Sequence, residues 1–177
     1  LGAAGAGGLG VIKGRNRTLL DRTATEIRQA TGADGTPVLD DVATLEGQAA
    51  LLASCPTPDI LINNNGGPPF RDFRELDRQA MLTGVTMNML TPIELIQKVI
   101  DPMIARGFGR IVNITSISVK MPIAGLDLSS AARAGLTAFV AGIARKVADK
   151  NITINNLLPG SFDTQRLRGG FAASSKN

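Results

Sequence analysis

The sequence predicts an α/β fold with a parallel sheet, built as a single domain. Its 177 residues correspond to one domain, at roughly 100 to 200 residues per domain. Hydrophobic residues make up 44% and charged residues only 19%, so a chain of this length can bury a substantial core. Apolar residues recur with the spacing of strands and of helices in turn, which is the order that packs helices against parallel strands.

Residues 1–62 contain strand and helix patterns in alternation. Residues 11–13 have the character of a strand, and a helix capped by Thr18 and ended by Gly32 follows. A short strand is expected over residues 37–39, then a helix that ends near Pro56. A compact apolar run predicts a buried strand over residues 59–62. The helical faces are Leu20, Ala24 and Ile27 in the first helix and Leu45, Ala49 and Leu52 in the second.

The remainder of the chain carries the two longest helical patterns. Residues 91–94 read Thr-Pro-Ile-Glu, which predicts a capping box with Pro at the first helical position. A strand is expected over residues 110–114, a long helix over residues 129–150, and a strand over residues 152–158 that Pro159 and Gly160 end. The apolar faces are Ile93, Ile96, Ile100 and Met103 in the first helix and Leu136, Phe139, Val140, Ile143 and Val147 in the second.

The residue types that are missing exclude several classes of site. The chain has no His, which excludes Ser-His-Asp and Cys-His hydrolases and His-ligated zinc. Cys55 is the only Cys, so neither an intrachain disulfide nor a cysteine-cluster metal site can form, and no metal is expected. Trp and Tyr are also absent.

The charge pattern gives no sign of nucleic acid or membrane as a partner. The net charge is only +4, and Phe is the sole aromatic residue type, so platforms for base stacking are poorly supplied. No apolar stretch reaches the roughly 18 uncharged residues that a membrane helix needs. No signal-peptide pattern opens the sequence, and we therefore expect a cytoplasmic protein.

The first ten residues form a glycine-rich segment, LGAAGAGGLG. Such a loop lets backbone N–H groups approach a pyrophosphate at a helix N-terminus, although glycine-rich termini are often only flexible tails. A dinucleotide-binding fold next needs a crossover of at least about 10 residues before its second strand. Residues 11–13 already look like that second strand, so we expect a segment to be missing after Gly10.

Landmarks in a fixed order carry a family resemblance. They are Gly8-Leu9-Gly10, Gly14-Arg15-Asn16, Asp41-Val42, residues 63–66, Asn88, residues 111–116, Pro159-Gly160 and Thr164. In order and spacing they resemble the short-chain dehydrogenase/reductase family, from Leu1 to about Arg168. The resemblance implies a Rossmann-type fold with a doubly wound parallel sheet that binds NAD or NADP. It also implies hydride transfer between that cofactor and a small-molecule carbonyl or alcohol substrate.

The same resemblance implies which residues contact the cofactor. Gly8, Leu9 and Gly10 would lie under the pyrophosphate, and Ala4 stands where the family has its first glycine, unless an insertion transfers that part to Gly2 or Gly5. Asp41 and Val42 resemble the adenine contacts, Asn64, Asn65 and Gly66 the stretch along the adenosine ribose, and Pro159, Gly160 and Thr164 the loop at the nicotinamide carboxamide. Taken singly, each is better explained as a turn, a helix entry or a strand end, and only the ordered set favours cofactor contacts.

The residues after the expected second strand favour NADP over NAD. NAD-binding relatives place an acid there that bonds both ribose hydroxyls, and here that position is Gly14, followed by Arg15. A guanidinium suits a 2′-phosphate because it forms bidentate charge-assisted hydrogen bonds, and no carboxylate stands at that position to repel the phosphate. The alternative is that Arg15 and Arg17 are only solvated charges before a helix.

The catalytic set that the resemblance implies is incomplete, which makes the chain a divergent member. Ser116 and Asn88 match the family's substrate-orienting Ser and relay Asn. The positions of the catalytic Tyr and Lys fall on Ser129 and Arg133, which lie four residues apart on one helix face. A serine hydroxyl is a far weaker acid than a phenol, and Arg133 keeps its proton near neutral pH although it can still donate to ribose hydroxyls.

Three interpretations of this replacement remain open. In the first, a divergent ketoacyl-reductase-like enzyme takes its proton from Lys120 or Asp127. Losing a general acid costs about 10² to 10⁴ in rate, so hydride transfer can survive it. In the second, the protein binds NADP without turnover, as a sensor or regulatory subunit. In the third, Lys120 and Asp127 are plain loop charges.

The last segment and the two long helices bear on substrate and assembly. Residues 165–177 are too short for the family's substrate lid, so we expect residues to be missing there and beyond Asn177, and the substrate stays unnamed. The helices over residues 92–106 and 129–150 resemble those that the family packs against partner subunits. They predict a homodimer or homotetramer, unless these faces only cover the chain's own sheet.

Overall fold

The computed structural model describes residues 9–163, which fall into two compact units that divide after Pro58. Each unit contains its own sheet, and every strand pairing within the described residues is parallel. Helices connect the paired strands in both units. The α/β class with parallel strands is therefore confirmed.

The first unit has two strands and two helices. Its order is β1 (Gly10–Gly14), α1 (Arg17–Thr31), β2 (Gly35–Leu39) and α2 (Leu45–Ser54). The β1 and β2 strands pair from Gly10 opposite Gly35 to Gly14 opposite Leu39. Residues 11–13 are thus a strand, as the sequence predicted, and the crossover before β2 is α1.

The prediction for the start of α1 was wrong by two residues, whereas its end was confirmed. Asn16, in an extended conformation, is the cap, and its side-chain Oδ1 accepts a hydrogen bond from the Leu19 N–H at 2.9 Å. Asn is preferred over Thr as an N-cap residue, and Thr18 already lies inside the helix. Gly32 ends the helix with φ of 71°, a left-handed conformation that glycine adopts without steric cost.

The second unit has three strands and three helices. Its order is β3 (Ile60–Asn63), α3 (Arg78–Val85), α4 (Thr91–Arg106), β4 (Gly109–Ile114), α5 (Asp127–Val147) and β5 (Ile152–Leu157). The strands lie in the order β3-β4-β5. Short 3₁₀ turns cover Phe73–Glu75, Ile117–Val119 and Ala148–Lys150.

The predicted capping box at Thr91 is not formed. A π-helical turn over Thr86–Leu90 joins α3 to α4, and the Thr91 N–H donates to the Thr86 carbonyl. Because the preceding turn supplies this acceptor, α4 needs no side-chain cap. Thr91 is buried instead, and its hydroxyl has no hydrogen-bond partner. No residue pattern predicted a π turn. Such turns are rare in proteins as a whole, but those that occur are frequently found at functional sites.

The core of the second unit lies between its helices and strands. Its most buried apolar residues are Leu95, Ile96, Val99 and Met103 of α4, Leu136 and Val140 of α5, Ile111 of β4, and Ile152 and Ile154 of β5. Ile96 and Met103 of α4 and Leu136 and Val140 of α5 belong to the predicted faces of these helices. Leu95 and Val99 were not predicted to be buried, and the predicted Ile100, Ile143 and Val147 are only half-buried. Within the described residues, no helix is both long and apolar enough to span a membrane.

Several residues predicted to face the core are exposed. Ile60 and Ile62 share one face of β3, at the edge of its sheet, and are 45% and 56% exposed. Leu45, in the first turn of α2, is exposed, and the helix buries Gly47 and Gln48 instead. Phe139 is partly exposed on α5. Apolar spacing predicted where these elements lie, but it did not predict which of their side chains are buried.

Candidate active site

The carboxyl ends of β3, β4 and β5 bring several predicted site residues to one edge of the sheet. In a parallel sheet these ends lie together, and ligands bind beyond them. The segment 64–66 follows β3, Thr115 and Ser116 follow β4, and Pro159 and Gly160 follow β5. The family resemblance had implied that these segments belong to one site.

A ladder of three asparagine side chains crosses the sheet just before this edge. Asn63, Asn113 and Asn156 are opposite one another in the strand register. The Asn63 Nδ2 donates to the Asn113 Oδ1 at 2.9 Å, and the Asn113 Nδ2 donates to the Asn156 Oδ1 at 3.0 Å. The ladder was not predicted, although an Asn at or near the end of each of the three strands was a usable signal.

Asn88 lies in the π turn and binds the segment after β3. Its Nδ2 donates to the Gly66 carbonyl at 2.8 Å, while the Asn65 Nδ2 donates in the opposite direction, to the Met87 carbonyl at 3.1 Å. Asn88 is only 2% exposed, and its Oδ1 is buried without a hydrogen-bond partner. The structure therefore brings Asn65, Gly66 and Asn88 together, whereas Asn64, which directly precedes them in the chain, is exposed.

Ser116 is held beside the segment after β5. Its Oγ accepts a hydrogen bond from the Ser118 N–H at 3.1 Å, so it caps the 3₁₀ turn. The Ile117 N–H donates to the Pro159 carbonyl at 2.9 Å. These two contacts place Ser116 next to Pro159, as the proposed site requires, while Gly160 is exposed.

Ser129 and Arg133 are in contact on the first turns of α5, and both are buried. The Arg133 Nε donates to the Ser129 Oγ at 3.3 Å. The rest of the guanidinium turns toward the strand ends and donates to main-chain carbonyls of Ile114, Thr115 and Asn65. The i,i+4 relation expected from the sequence is present, and the main-chain contacts were not foreseen.

The two residues considered as alternative proton donors are both exposed. Lys120 follows the 3₁₀ turn that Ser116 caps, and Asp127 is the first residue of α5. Each is therefore close in sequence to Ser116 or Ser129, but solvent reaches both side chains.

In the first unit, Arg15 lies beside the carboxylate of Asp41, a contact that was not predicted. The Arg15 Nη1 is 3.5 Å from the Asp41 Oδ2, and both side chains are largely exposed. No carboxylate stands at position 14 itself, but the segment after β2 brings that of Asp41 beside Arg15. Burial lowers the pKa of neighbouring Lys13; Asp41 partly offsets this effect and Arg15 adds to it. Val42, the other predicted adenine contact, is buried.

The glycine-rich segment is described only from its ninth residue. Leu9 is exposed, and Gly10 is the first residue of β1, where its N–H donates to the Asp34 carbonyl at 3.2 Å. That N–H is therefore bonded within the first unit. Ala4, Gly8 and the alternatives Gly2 and Gly5 lie outside the described residues, as does Thr164.

The family model for short chain dehydrogenases matches residues 3–173. The chain belongs to this family. Its matched region covers the site residues of both units and nearly the whole sequence, which confirms the resemblance that the ordered landmarks indicated.

Two reductases and one solved structure show how the chain compares with other short-chain dehydrogenases. The acetoacetyl-CoA reductase of Allochromatium vinosum is 29% identical over 148 residues, which are 80% of this chain and 60% of that protein. The 3-oxoacyl-(acyl-carrier-protein) reductase FabG of Pseudomonas aeruginosa is 31% identical over 147 residues, again covering 60% of its length. They cover 81% of this chain. This chain therefore spans about three fifths of each relative.

The solved structure is that of L-sorbose reductase from Gluconobacter frateurii, complexed with NADPH and L-sorbose. It matches with a TM-score of 0.89 and 26% identity, over 99% of this chain and 68% of that one. A match of this extent confirms the Rossmann-type fold expected from the sequence.

Proposed function

We propose that the protein is an NADP-dependent oxidoreductase with an atypical active site. It would transfer hydride between NADP and a carbonyl or alcohol, with ketoacyl thioesters as the first substrates to test. The observation that carries the proposal is the cluster of Ser116, Asn88, Ser129 and Arg133 around the carboxyl ends of β3 and β4. The acetoacetyl-CoA and 3-oxoacyl reductases among its relatives support this substrate class.

Arg15 carries the proposed preference for NADP. Its guanidinium can form bidentate hydrogen bonds with a 2′-phosphate, and Lys13 adds a second positive charge nearby. Asp41 weakens this preference, since its carboxylate lies beside the guanidinium. The NADPH in the structure of L-sorbose reductase agrees with the assignment.

The variant Arg15→Asp tests the cofactor preference. Replacing the cation by an acid should reverse the order of affinities, because a carboxylate repels the phosphate and accepts from ribose hydroxyls. Affinities for NADPH and NADH are measured separately for both proteins. Equal affinity of the unchanged chain for the two cofactors would contradict the preference, and Arg17→Asp, two residues further on, is the matched control.

When bound, the reduced cofactor NADPH would supply the hydride and NADP⁺ would accept it, and the chain's own residues would prepare the carbonyl. Ser116 would donate to the carbonyl oxygen and Asn88 would hold the proton relay through its buried side chain. No phenol stands at position 129, and the side chain of Ser129 is bound to Arg133. We propose that Lys120 or Asp127 delivers the proton through solvent, at a rate reduced by about 10² to 10⁴ relative to a positioned general acid.

A second candidate function is a sensor that binds NADP without turning it over. The contact that favours it is the one between Ser129 and Arg133, which engages both residues at the positions of the family's Tyr and Lys. A sensor of this kind holds NADPH tightly and leaves it unoxidised in the presence of carbonyl compounds. The two functions therefore make opposite predictions in one assay.

That assay follows NADPH absorbance with a panel of ketones, aldehydes and 3-ketoacyl thioesters. For an enzyme, we expect slow oxidation with at least one substrate, and Ser116→Ala should abolish it while leaving NADPH affinity unchanged. Ser118→Ala removes a nearby buried hydroxyl and serves as the control. Tight binding without oxidation across the panel would instead establish the sensor.

We also propose that the chain assembles as a homodimer or homotetramer. Apolar side chains exposed on the helices of the second unit, such as Leu82, Leu90 and Phe139, support this proposal. Light scattering at micromolar concentration measures the assembly state. A monomer would contradict the proposal.

A further inference from the structure

The guanidinium of Arg133 joins three separate segments of the second unit. Its Nη1 donates to the Ile114 carbonyl at 2.7 Å and to the Thr115 carbonyl at 3.2 Å, both at the end of β4. Its Nη2 donates to the Asn65 carbonyl at 3.3 Å, beyond the end of β3. Since Arg133 itself belongs to α5, one side chain holds this helix and two strand ends in fixed relation.

The contacts continue from Asn65 to the π turn. The side chain of Asn65 donates to the Met87 carbonyl, and the side chain of Asn88 donates back to the Gly66 carbonyl. Arg133 therefore fixes the main chain of the segment that positions Asn88. On its other side, the Thr115 carbonyl that it holds directly precedes Ser116.

We propose that Arg133 is a positioning residue that holds the segments 64–66 and 114–116 together, and that it sets the places of Asn88 and Ser116. This role differs from direct binding of the cofactor ribose, which the family resemblance implies for this position. It rests on the proposed function only where cofactor affinity is concerned. The contacts that define it lie entirely within the protein.

The geometry of the contacts requires an arginine. The guanidinium is planar and directs its N–H groups along a rigid fork, which here reaches a hydroxyl on one edge and carbonyls of three residues on the other. A lysine carries three donors on a single nitrogen and has no group equivalent to Nε. It cannot reach all of these acceptors from one position, and buried carbonyls left without a donor destabilise the fold.

The variant Arg133→Lys separates the two roles, because lysine is the family's residue at this position. If Arg133 binds ribose, lysine should retain or improve NADPH affinity. If Arg133 is a positioning residue, lysine should loosen both segments. We then expect amide hydrogen exchange of the protein without ligand to accelerate about tenfold or more at residues 64–66 and 116–118. NADPH affinity should fall by a similar factor.

Arg110→Lys is the matched control. Arg110 also donates to main-chain carbonyls, those of Gly109 at 2.8 Å and Asn151 at 2.7 Å, and to the Asn151 Oδ1 at 3.0 Å. These contacts lie at the opposite end of β4, at the start of the strand. Both variants should lower Tm, but Arg110→Lys should leave exchange at residues 64–66 and NADPH affinity unchanged.

The outcomes decide the proposal even if the chain does not bind NADPH. In that case the proposed function fails, whereas the exchange comparison still tests the positioning role. Unchanged exchange in Arg133→Lys, or equal acceleration in Arg110→Lys, would overturn that role. Should Arg133→Lys not fold, Ser129→Ala removes only the acceptor of Nε and should accelerate exchange at the same residues to a smaller extent. No acceleration there would overturn the proposal as well.

Discussion

Replacing Asn113 by Ala should destabilise the second unit more than any exposed substitution on the same sheet. Asn113 is 1% exposed and occupies the middle of the asparagine ladder. It accepts from the Asn63 Nδ2 at 2.9 Å and donates to the Asn156 Oδ1 at 3.0 Å. Asn113→Ala therefore removes two hydrogen bonds and leaves one donor and one acceptor unpaired.

The expected cost follows from those two orphaned groups. Leaving a buried donor or acceptor unsatisfied costs about 1 to 3 kcal/mol for each group, so the free energy of unfolding should fall by about 2 to 6 kcal/mol. For a protein of this size, 1 kcal/mol shifts Tm by about 2 to 4 °C. We therefore expect Tm to fall by about 4 to 24 °C.

The assay is urea denaturation of the unchanged chain, Asn113→Ala and a control variant, Asn155→Ala. Asn155 is an exposed residue of β5, next to the ladder in sequence but on the opposite face of the strand. Its replacement should change the free energy of unfolding by no more than about 0.5 kcal/mol. Equal effects of the two variants would refute the assigned role of the ladder.

A triple variant tests the physical reason for this cost. Replacing Asn63, Asn113 and Asn156 together by Leu removes both partners of each hydrogen bond and leaves none of these amide groups unpaired. Such a replacement by groups of similar shape can be nearly neutral. The triple variant should therefore be more stable than Asn113→Leu alone, and the reverse order would show that packing rather than hydrogen bonding dominates.

Three other changes have predicted signs. A Cβ on Gly47 would overlap the main-chain carbonyl of Asp41, so Gly47→Ala should destabilise the first unit by about 1 to 3 kcal/mol in thermal unfolding. Nothing lies within 4 Å of a Cβ built on Gly142, which lies inside α5. Gly142→Ala should therefore stabilise the second unit by about 0.5 to 1 kcal/mol, and a loss of stability would contradict the open space at this position. Burial lowers the pKa of Lys13, so Lys13→Met should raise Tm at pH 7 by removing a partly buried cation. That gain should shrink as the pH rises toward 10.5, where the unfolded lysine also loses its proton, and a gain independent of pH would contradict this cause.

Sequence patterns predicted the order of the elements better than their ends and faces, although the helix α3 (Arg78–Val85) was not predicted at all. The helices α1 and α5 and the strand β4 followed their apolar spacing closely. The start of α4 could not be predicted. Residues 91–94 match a capping box, but the preceding π turn already supplies a main-chain acceptor for the Thr91 N–H. Whether a side chain such as Ile62 is covered depends on its neighbours in space, which spacing along one strand does not specify.

The same holds for the site: contacts that depend on local spacing were predicted from the sequence, whereas contacts that depend on tertiary packing were not. The four-residue spacing of Ser129 and Arg133 was enough to predict that they share a helix face, and the two are in contact. The carbonyl contacts of Arg133 join residues up to 68 positions apart, so they depend on the packing of α5 against the sheet. The approach of Asp41 to Arg15 likewise depends on the pairing of β1 with β2.

Binding of NADP by this chain is tested most directly by a thermal-stability titration with NADPH and with NADH. A ligand at 100 times its Kd adds about 2.7 kcal/mol to stability, which is readily measured as a rise in Tm. We expect a saturable rise with NADPH at concentrations where NADH has little effect. No shift with either cofactor, or a larger shift with NADH, would contradict it.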